Sequence, residues 1–242
     1  MCYFKQDKAL QKALEDHYGA VLREYLPYYL DNGFDHNPCP VITAQRPKEF
    51  QTMTWGLVPW WMKTKAEALQ IRVRTLLCIS EEMFDKASYR DSLKDAKRCL
   101  IPATGFYEWR WFDGGKNKIP YFVKTDQELF SIASLWSEWK DKTTGEVMQT
   151  YTVLTTKANT LMEKIHNSKK RMPVILPKEH EDDWLNPNLT KEDVLALCQP
   201  FDTSKMEAYT VSKMITDRKI ENKNIPELSK PYDYPELALL DA

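Results

Sequence analysis

Glycine is scarce in this 242-residue chain: there are seven, and none falls in a G-x-G-x-x-G or P-loop string. The glycine-rich loops that cradle phosphates in nucleotide-binding folds are therefore excluded. Histidine is scarcer still, with four widely separated residues and none of the spacings that hold a metal. The five cysteines are odd in number, scattered, and form no C-x-x-C pair, which argues against a zinc ribbon and a disulfide framework. No apolar run reaches the length of a membrane span, and the charge at Lys5 is unlike a signal peptide. Net charge is only −1, so phosphate binding would need a local patch rather than a basic surface. A soluble, cytoplasmic protein without metal or cofactor is expected.

What the chain does have is core-forming material. Hydrophobic residues make up 43% of it, and eight are tryptophan, which favours a globular fold over disorder. Apolar spacing predicts a helix over Asp7 to Leu26, with Asp7 as cap and Pro27 as stop. Strands are expected over Val41 to Ala44 and Met53 to Val58, followed by a short helix through Leu69. Ser88 with Asp91 reads as the start of another helix. Strand signals then cluster: Arg98 to Ile101, Gly105 to Phe112, Ile119 to Lys124, Leu129 to Trp136 and Met148 to Thr156, with Asp113-Gly114-Gly115 as a hairpin turn. A helix from Ala158 to Ile165, a strand from Met172 to Leu176 and a helix capped by Thr190 and Asp193 complete the pattern. Strands fill the middle and helices the periphery, with no β-α-β rhythm. The expected class is α+β, one domain over 1–242 with a curved, barrel-like mixed sheet and a surface-packed tail over 219–242.

Five stretches carry candidate chemistry. Cys2, once Met1 is removed, bears an α-amine and a thiol two carbons apart. That pair condenses with an aldehyde to an imine and closes through sulfur to a thiazolidine, which no internal cysteine can do. Trp55-Gly56-Leu57-Val58-Pro59-Trp60-Trp61 gathers three indoles, which serve either as core or as a platform on which unstacked bases lie. Glu108, between aromatic residues on a strand, is either a desolvated acid/base or the partner of Arg110. His166 precedes the basic run Lys169-Lys170-Arg171, so the segment is either a proton shuttle beside a phosphate grip or a helix-capping histidine in a solvated loop. Thr155 and Thr156 either cap the helix after Ala158 or face a site.

Taken in order, seven blocks resemble the SRAP family (SOS response-associated peptidase), whose members crosslink to abasic sites in single-stranded DNA. They are Met1-Cys2, Trp55 to Trp61, Ser80 to Arg90, Arg98 to Trp109, Ala133 to Trp136, Leu154 to Asn159 and Ile165 to Leu176. The resemblance implies that Met1 is removed by the protein itself and that Cys2 captures the ring-opened sugar as a thiazolidine. It implies acid/base work by Glu108, assistance from His166 and a hydroxyl near the site from Thr155. It also implies DNA contacts from Trp55, Gly56, Leu57, Pro59 and Trp60 and an accompanying lyase activity; the local charges add Arg74 and Arg171 as candidate DNA contacts, and a monomer without cofactor or membrane is expected.

One block departs from the family pattern. The family usually has Asn-x-Arg just before the Ser80 segment, and this chain has Leu77-Cys78-Ile79. The departure implies either a weakened phosphate grip or a different register between Arg72 and Ile79. Arg72 and Arg74 are not simple substitutes, because five residues of extended chain span roughly 16 Å. Two alternatives follow: a non-catalytic DNA-binding relative, and an N-terminal-cysteine peptidase acting on peptides.

Overall fold

A computed structural model describes residues 2–235 and 237. The chain opens with strand β1 (Phe4–Asp7), helix α1 (Gln11–Tyr18) and strands β2 (Tyr28–Asn32), β3 (Pro38–Thr43) and β4 (Arg46–Trp55). Helix α2 (Lys65–Arg72), strand β5 (Leu77–Ile79) and helix α3 (Arg90–Lys94) follow. The central strands are β6 (Arg98–Ala103), β7 (Gly105–Phe112), β8 (Asn117–Thr125), β9 (Phe130–Lys140) and β10 (Val147–Lys157). Helix α4 (Thr160–Ile165), strands β11 (Arg171–Pro173) and β12 (Ile175–Leu176), helices α5 (Glu181–Leu185) and α6 (Lys191–Leu197) and strand β13 (Met206–Thr210) complete the order.

The class is α+β, as the sequence predicts. Strands β10, β4, β3, β6 and β9 run side by side, and a β9–β10 pairing closes them into a five-stranded barrel. The barrel is mixed because β10 runs parallel to β4 and antiparallel to β9. Strands β5 and β11 add to β10, and β12 adds to β9. A second, antiparallel sheet has the order β13-β8-β7-β1-β2.

Alternation along the barrel strands sorts the core. One face, with Val41, Met53, Trp55, Ile101, Tyr151 and Val153, packs against Phe106 and Val123 of the second sheet. The other face, with Ile42, Leu100, Leu135 and Leu154, is covered by Leu14 of α1, Trp184 of α5 and Val194 of α6. Each fully buried side chain of this size stabilises the fold by about 1.5–3 kcal/mol.

The structure corrects the sequence reading at the N-terminal end. Asp7 is not a cap but the buried last residue of β1. The helix stops at Gly19, whose φ of +57° ends it as a left-handed cap. The chain then turns extended, and Val21 exchanges backbone hydrogen bonds with Lys48 and Phe50. The apolar spacing that continues to Leu26 is coincidental, since Leu26 is exposed. Ser88 does not cap α3 either: Tyr89 occupies that place without a side-chain bond, and Asp91 accepts instead from the Trp60 indole at 2.8 Å. Beyond Arg218 the chain packs on the second sheet through buried Leu228 and Tyr234. The last part of the expected tail, 236 and 238–242, lies outside the described residues. Among the described residues no helix is long and apolar enough to cross a membrane.

Candidate active site

The site begins with a strand register. β1 pairs antiparallel with β7, with Phe4 opposite Tyr107 and Lys5 opposite Phe106. Continuing that register past Phe4 brings the start of the chain alongside Glu108. Gly105 permits the pairing on the other side of β7, because a Cβ there would stand 2.1 Å from the Phe122 ring. The backbone N–H of Gly33 donates to the carbonyl of Tyr3 at 2.8 Å and fixes the segment that carries Cys2.

The third member comes from a helix end. Asn159, rather than Thr155 or Thr156, caps α4, accepting from the backbone N–H of Met162 at 2.9 Å. His166 terminates that helix, and its Nδ1 lies 2.7 Å from the carbonyl oxygen of Arg171. A carbonyl oxygen only accepts, so Nδ1 carries the proton. Neutral His166 therefore presents a lone pair at Nε2, which lies 3.9 Å from Oε2 of Glu108. Asn167 holds this loop against β7 with two bonds: its Nδ2 donates to the Trp111 carbonyl at 2.8 Å, and its Oδ1 accepts from the Trp111 N–H at 3.0 Å.

Cys2 Sγ, a Glu108 carboxylate oxygen and a His166 ring nitrogen thus lie within 4.8 Å of one another. All three residues are buried, with exposures of 3%, 1% and 1%. Burial, reinforced by the Glu108 carboxylate, pushes the Cys2 thiol well above the ordinary cysteine value. The thiol is hydrogen-bonded to Glu108, so an acceptor for its proton is already in place. Burial also lowers the affinity of His166 for a second proton, against the pull of Glu108. At neutral pH the cluster thus holds a protonated thiol and a neutral imidazole beside a carboxyl group. A cavity of about 320 Å³ reaches Glu108 and His166 and is bordered by Trp109, Trp111, Lys118 and Lys169. Met1, whose removal the sequence reading expects, lies outside the described residues.

Thr155 is buried on β10 between β5 and β11, and its hydroxyl donates to the Cys78 carbonyl at 3.3 Å rather than to the cluster. Arg171 grips Glu81 with two bonds of 2.7 Å, and one of the same nitrogens donates to the Thr155 carbonyl at 2.6 Å. Its guanidinium is thus bound within the protein, and its carbonyl orients His166.

The tryptophan-rich stretch divides. Trp55 is 1% exposed, stacks on Tyr151 at 5.9 Å and donates its indole N–H to the Leu76 carbonyl. Leu57 and Pro59 are buried as well. Gly56 has φ +101°, and a Cβ there would lie 2.8 Å from the Arg72 carbonyl, so it serves the backbone. Of the two readings of the indoles, the core one describes Trp55, and Leu57, a DNA contact by the resemblance, is buried in the core too. Trp60, at 59% exposure, and Trp61 remain on the surface. Arg74 is exposed but borders a different cavity, beside Trp61 and Gln70. Arg72 is buried, and its guanidinium donates to the Thr54 hydroxyl and the Trp55 carbonyl, so it is engaged within the fold. Ile79 pairs opposite Thr155 at 40% exposure, while Leu77 packs against the core.

The chain is similar to known proteins in sequence and in fold. A family model described as SOS response associated peptidase (SRAP) matches residues 1–218. Abasic site processing protein YoqW of Bacillus subtilis (strain 168) is 39% identical over 207 residues, 85% of this chain and 86% of YoqW. Abasic site processing protein HMCES of Gallus gallus is 34% identical over 154 residues, 55% of this chain and 44% of its own length. A crystal structure of a protein from Bacteroides thetaiotaomicron superposes with a TM-score of 0.89 at 36% identity, covering 96% of this chain and all of that one.

Proposed function

The chain belongs to the SRAP family, and from that membership and the cluster at Cys2 we propose that it processes abasic sites in single-stranded DNA through a covalent bond to Cys2. The observation that carries the reading is the convergence of Cys2, Glu108 and His166 within 4.8 Å. The names of the relatives, abasic site processing proteins, supply the substrate class.

The reaction requires Met1 to be removed first, which frees the Cys2 α-amine; the buried Glu108 beside it is the acid/base for that hydrolysis. The amine then adds to the aldehyde carbon of the ring-opened deoxyribose. Glu108 delivers a proton to the departing hydroxyl, water leaves, and an imine remains. The Cys2 sulfur attacks the imine carbon while its proton passes to Glu108 and on to the imine nitrogen. The sum is aldehyde plus aminothiol giving thiazolidine plus water. Because thiol and imine belong to one residue, ring closure gains the effective concentration of an intramolecular step, roughly 10⁵ M or more when well oriented. His166, neutral and with its lone pair at Nε2, accepts the sugar hydroxyl proton during ring opening and assists reversal of the link. Lys118 and Lys169 at the cavity mouth suit the flanking phosphates. Exposed Trp60 offers a stacking face to a neighbouring base. The protein acts as a cytoplasmic monomer, and β-elimination from the imine gives it a lyase side activity.

Incubation with a single-stranded oligonucleotide carrying one abasic site, followed by denaturing electrophoresis, tests the reading. A retarded band that disappears in Cys2→Ala and is strongly reduced in Glu108→Gln is expected. Mobility shift under native conditions with no band after denaturation would overturn the covalent step and leave DNA binding alone. Peptide turnover dependent on Cys2, without any DNA effect, would replace the reading with a peptidase.

A further inference from the structure

Three donors of different kinds meet at Cys2, Glu108 and His166: sulfur, carboxylate oxygen and imidazole nitrogen, all within 4.8 Å. They come from the start of β1, the middle of β7 and the end of α4, so no local spacing announces them. We propose that these side chains form a reversible binding site for a thiophilic divalent cation, zinc being the best match, and that an ion bound there switches off the Cys2 chemistry. The inhibitory part rests on the function proposed above; the binding part does not.

The donor set is the first argument. Zinc is borderline-soft and takes thiolate, imidazole and carboxylate together, with three protein ligands leaving a fourth position open. Geometry is the second. Tetrahedral zinc sets neighbouring donors roughly 3.3–3.6 Å apart. His166 Nε2 and Glu108 Oε2 lie 3.9 Å apart, so they need approach by only about half an ångström. The third argument is the orientation of the imidazole. Metal-binding histidines almost always donate their other ring N–H to a carbonyl or carboxylate, which fixes the tautomer and aims the lone pair. Here Nδ1–H donates to the Arg171 carbonyl at 2.7 Å, leaving Nε2 towards the centre. The cavity that reaches Glu108 and His166 supplies an entry path.

Binding exchanges one proton for one metal–sulfur bond: Cys2–SH plus M²⁺ gives Cys2–S–M⁺ plus H⁺, released to solvent. No oxidant or reductant is involved. With Met1 gone, the α-amine becomes a fourth donor and closes a five-membered chelate with the sulfur of the same residue. Both nucleophilic atoms are then held in metal bonds and neither attacks an aldehyde. A chelator restores them.

Cobalt(II) is the probe, because its bond to thiolate gives a charge-transfer absorption that zinc lacks. Titration of the metal-stripped full chain is expected to give that band with one cobalt per chain. Zinc should abolish the band by displacement. Cys2→Ser should lose it while keeping the unfolding temperature of the parent without metal, and His166→Gln should weaken binding at least tenfold. Stoichiometric zinc should slow crosslinking to abasic DNA at least tenfold, with full recovery on chelation. A cobalt band without any crosslinking in metal-free protein would overturn the proposed function and leave the metal site standing. Crosslinking that proceeds unchanged in excess zinc, with no cobalt band, would overturn the metal site and leave the function standing. A cobalt band that persists in Cys2→Ser would also refute the site, because the sulfur would then belong elsewhere.

Discussion

His166 is oriented by the backbone of Arg171 and not by a side chain: its Nδ1 donates to that carbonyl at 2.7 Å. The consequence is that the reactive nitrogen, Nε2, is selected by the main chain of β11, five residues on. Any change that shifts the 166–171 loop against β7 moves the imidazole relative to Glu108. The side chain that prevents this is Asn167, through its pair of bonds to Trp111.

Asn167→Ala is therefore expected to slow formation of the Cys2–DNA bond by about tenfold, the effect of loosening a positioned group by about 1.4 kcal/mol. Affinity for undamaged single-stranded DNA should stay within twofold, since Asn167 is not needed for that contact. Single-turnover crosslinking rates and equilibrium binding, measured on the same preparation, separate the two. Equal losses in both would refute the positioning role.

The tryptophan stretch gives a contrast between two neighbours. Trp55→Ala should destabilise the fold by about 3–5 kcal/mol, because it empties a site packed on Tyr151 and strands the Leu76 carbonyl. Trp60→Ala should leave the unfolding midpoint almost unchanged and weaken single-stranded DNA binding by about 1–3 kcal/mol. Denaturant titration and fluorescence anisotropy report the two quantities. Loss of DNA affinity in a still-folded Trp55→Ala variant would contradict the division.

Alternation along Gly105 to Phe112 and Met148 to Thr156 marks the strands, since a two-residue period reads directly as two faces. Cys2, Glu108 and His166 are each legible from their own segments. The burial of Trp55 is not, because it depends on Tyr151, almost a hundred residues away, and on the close approach of Arg72 to Gly56. Gly19 is a local stop signal for α1, but the apolar period that runs on to Leu26 masks it. Asn167 sits beside His166 in the chain, but its partner is the end of β7, so nothing local distinguishes it from a loop asparagine.

A buried carboxyl gives the pH prediction. Burial raises Asp7 from an ordinary 3.8 to about 6, only partly offset by Lys5. The folded form thus holds its proton more tightly than the unfolded chain, and stability falls as pH rises from about 4 to about 6, then levels off. The ionised carboxylate costs about 3 kcal/mol above that window. Asp7→Asn should therefore raise the unfolding temperature at pH 8 and have a much smaller effect at pH 4. A stabilisation equal at both values, measured by thermal scans in matched ionic strength, would refute the assignment.

The sequence resemblance places the family's arginine at Ile79, which is 40% exposed and has room for a longer side chain. Ile79→Arg should strengthen binding to single-stranded DNA and steepen the slope of log affinity against log salt by about 0.7, the value for one added phosphate contact. An unchanged slope would show that this strand edge does not face the DNA backbone.

The most direct test of the central claim is intact mass. The purified chain should weigh one methionine less than its full sequence, and after incubation with an abasic-site oligonucleotide it should gain the mass of that oligonucleotide less one water, in a product that survives denaturation. Retention of Met1, or a DNA adduct that forms equally on Cys2→Ala, would contradict the account.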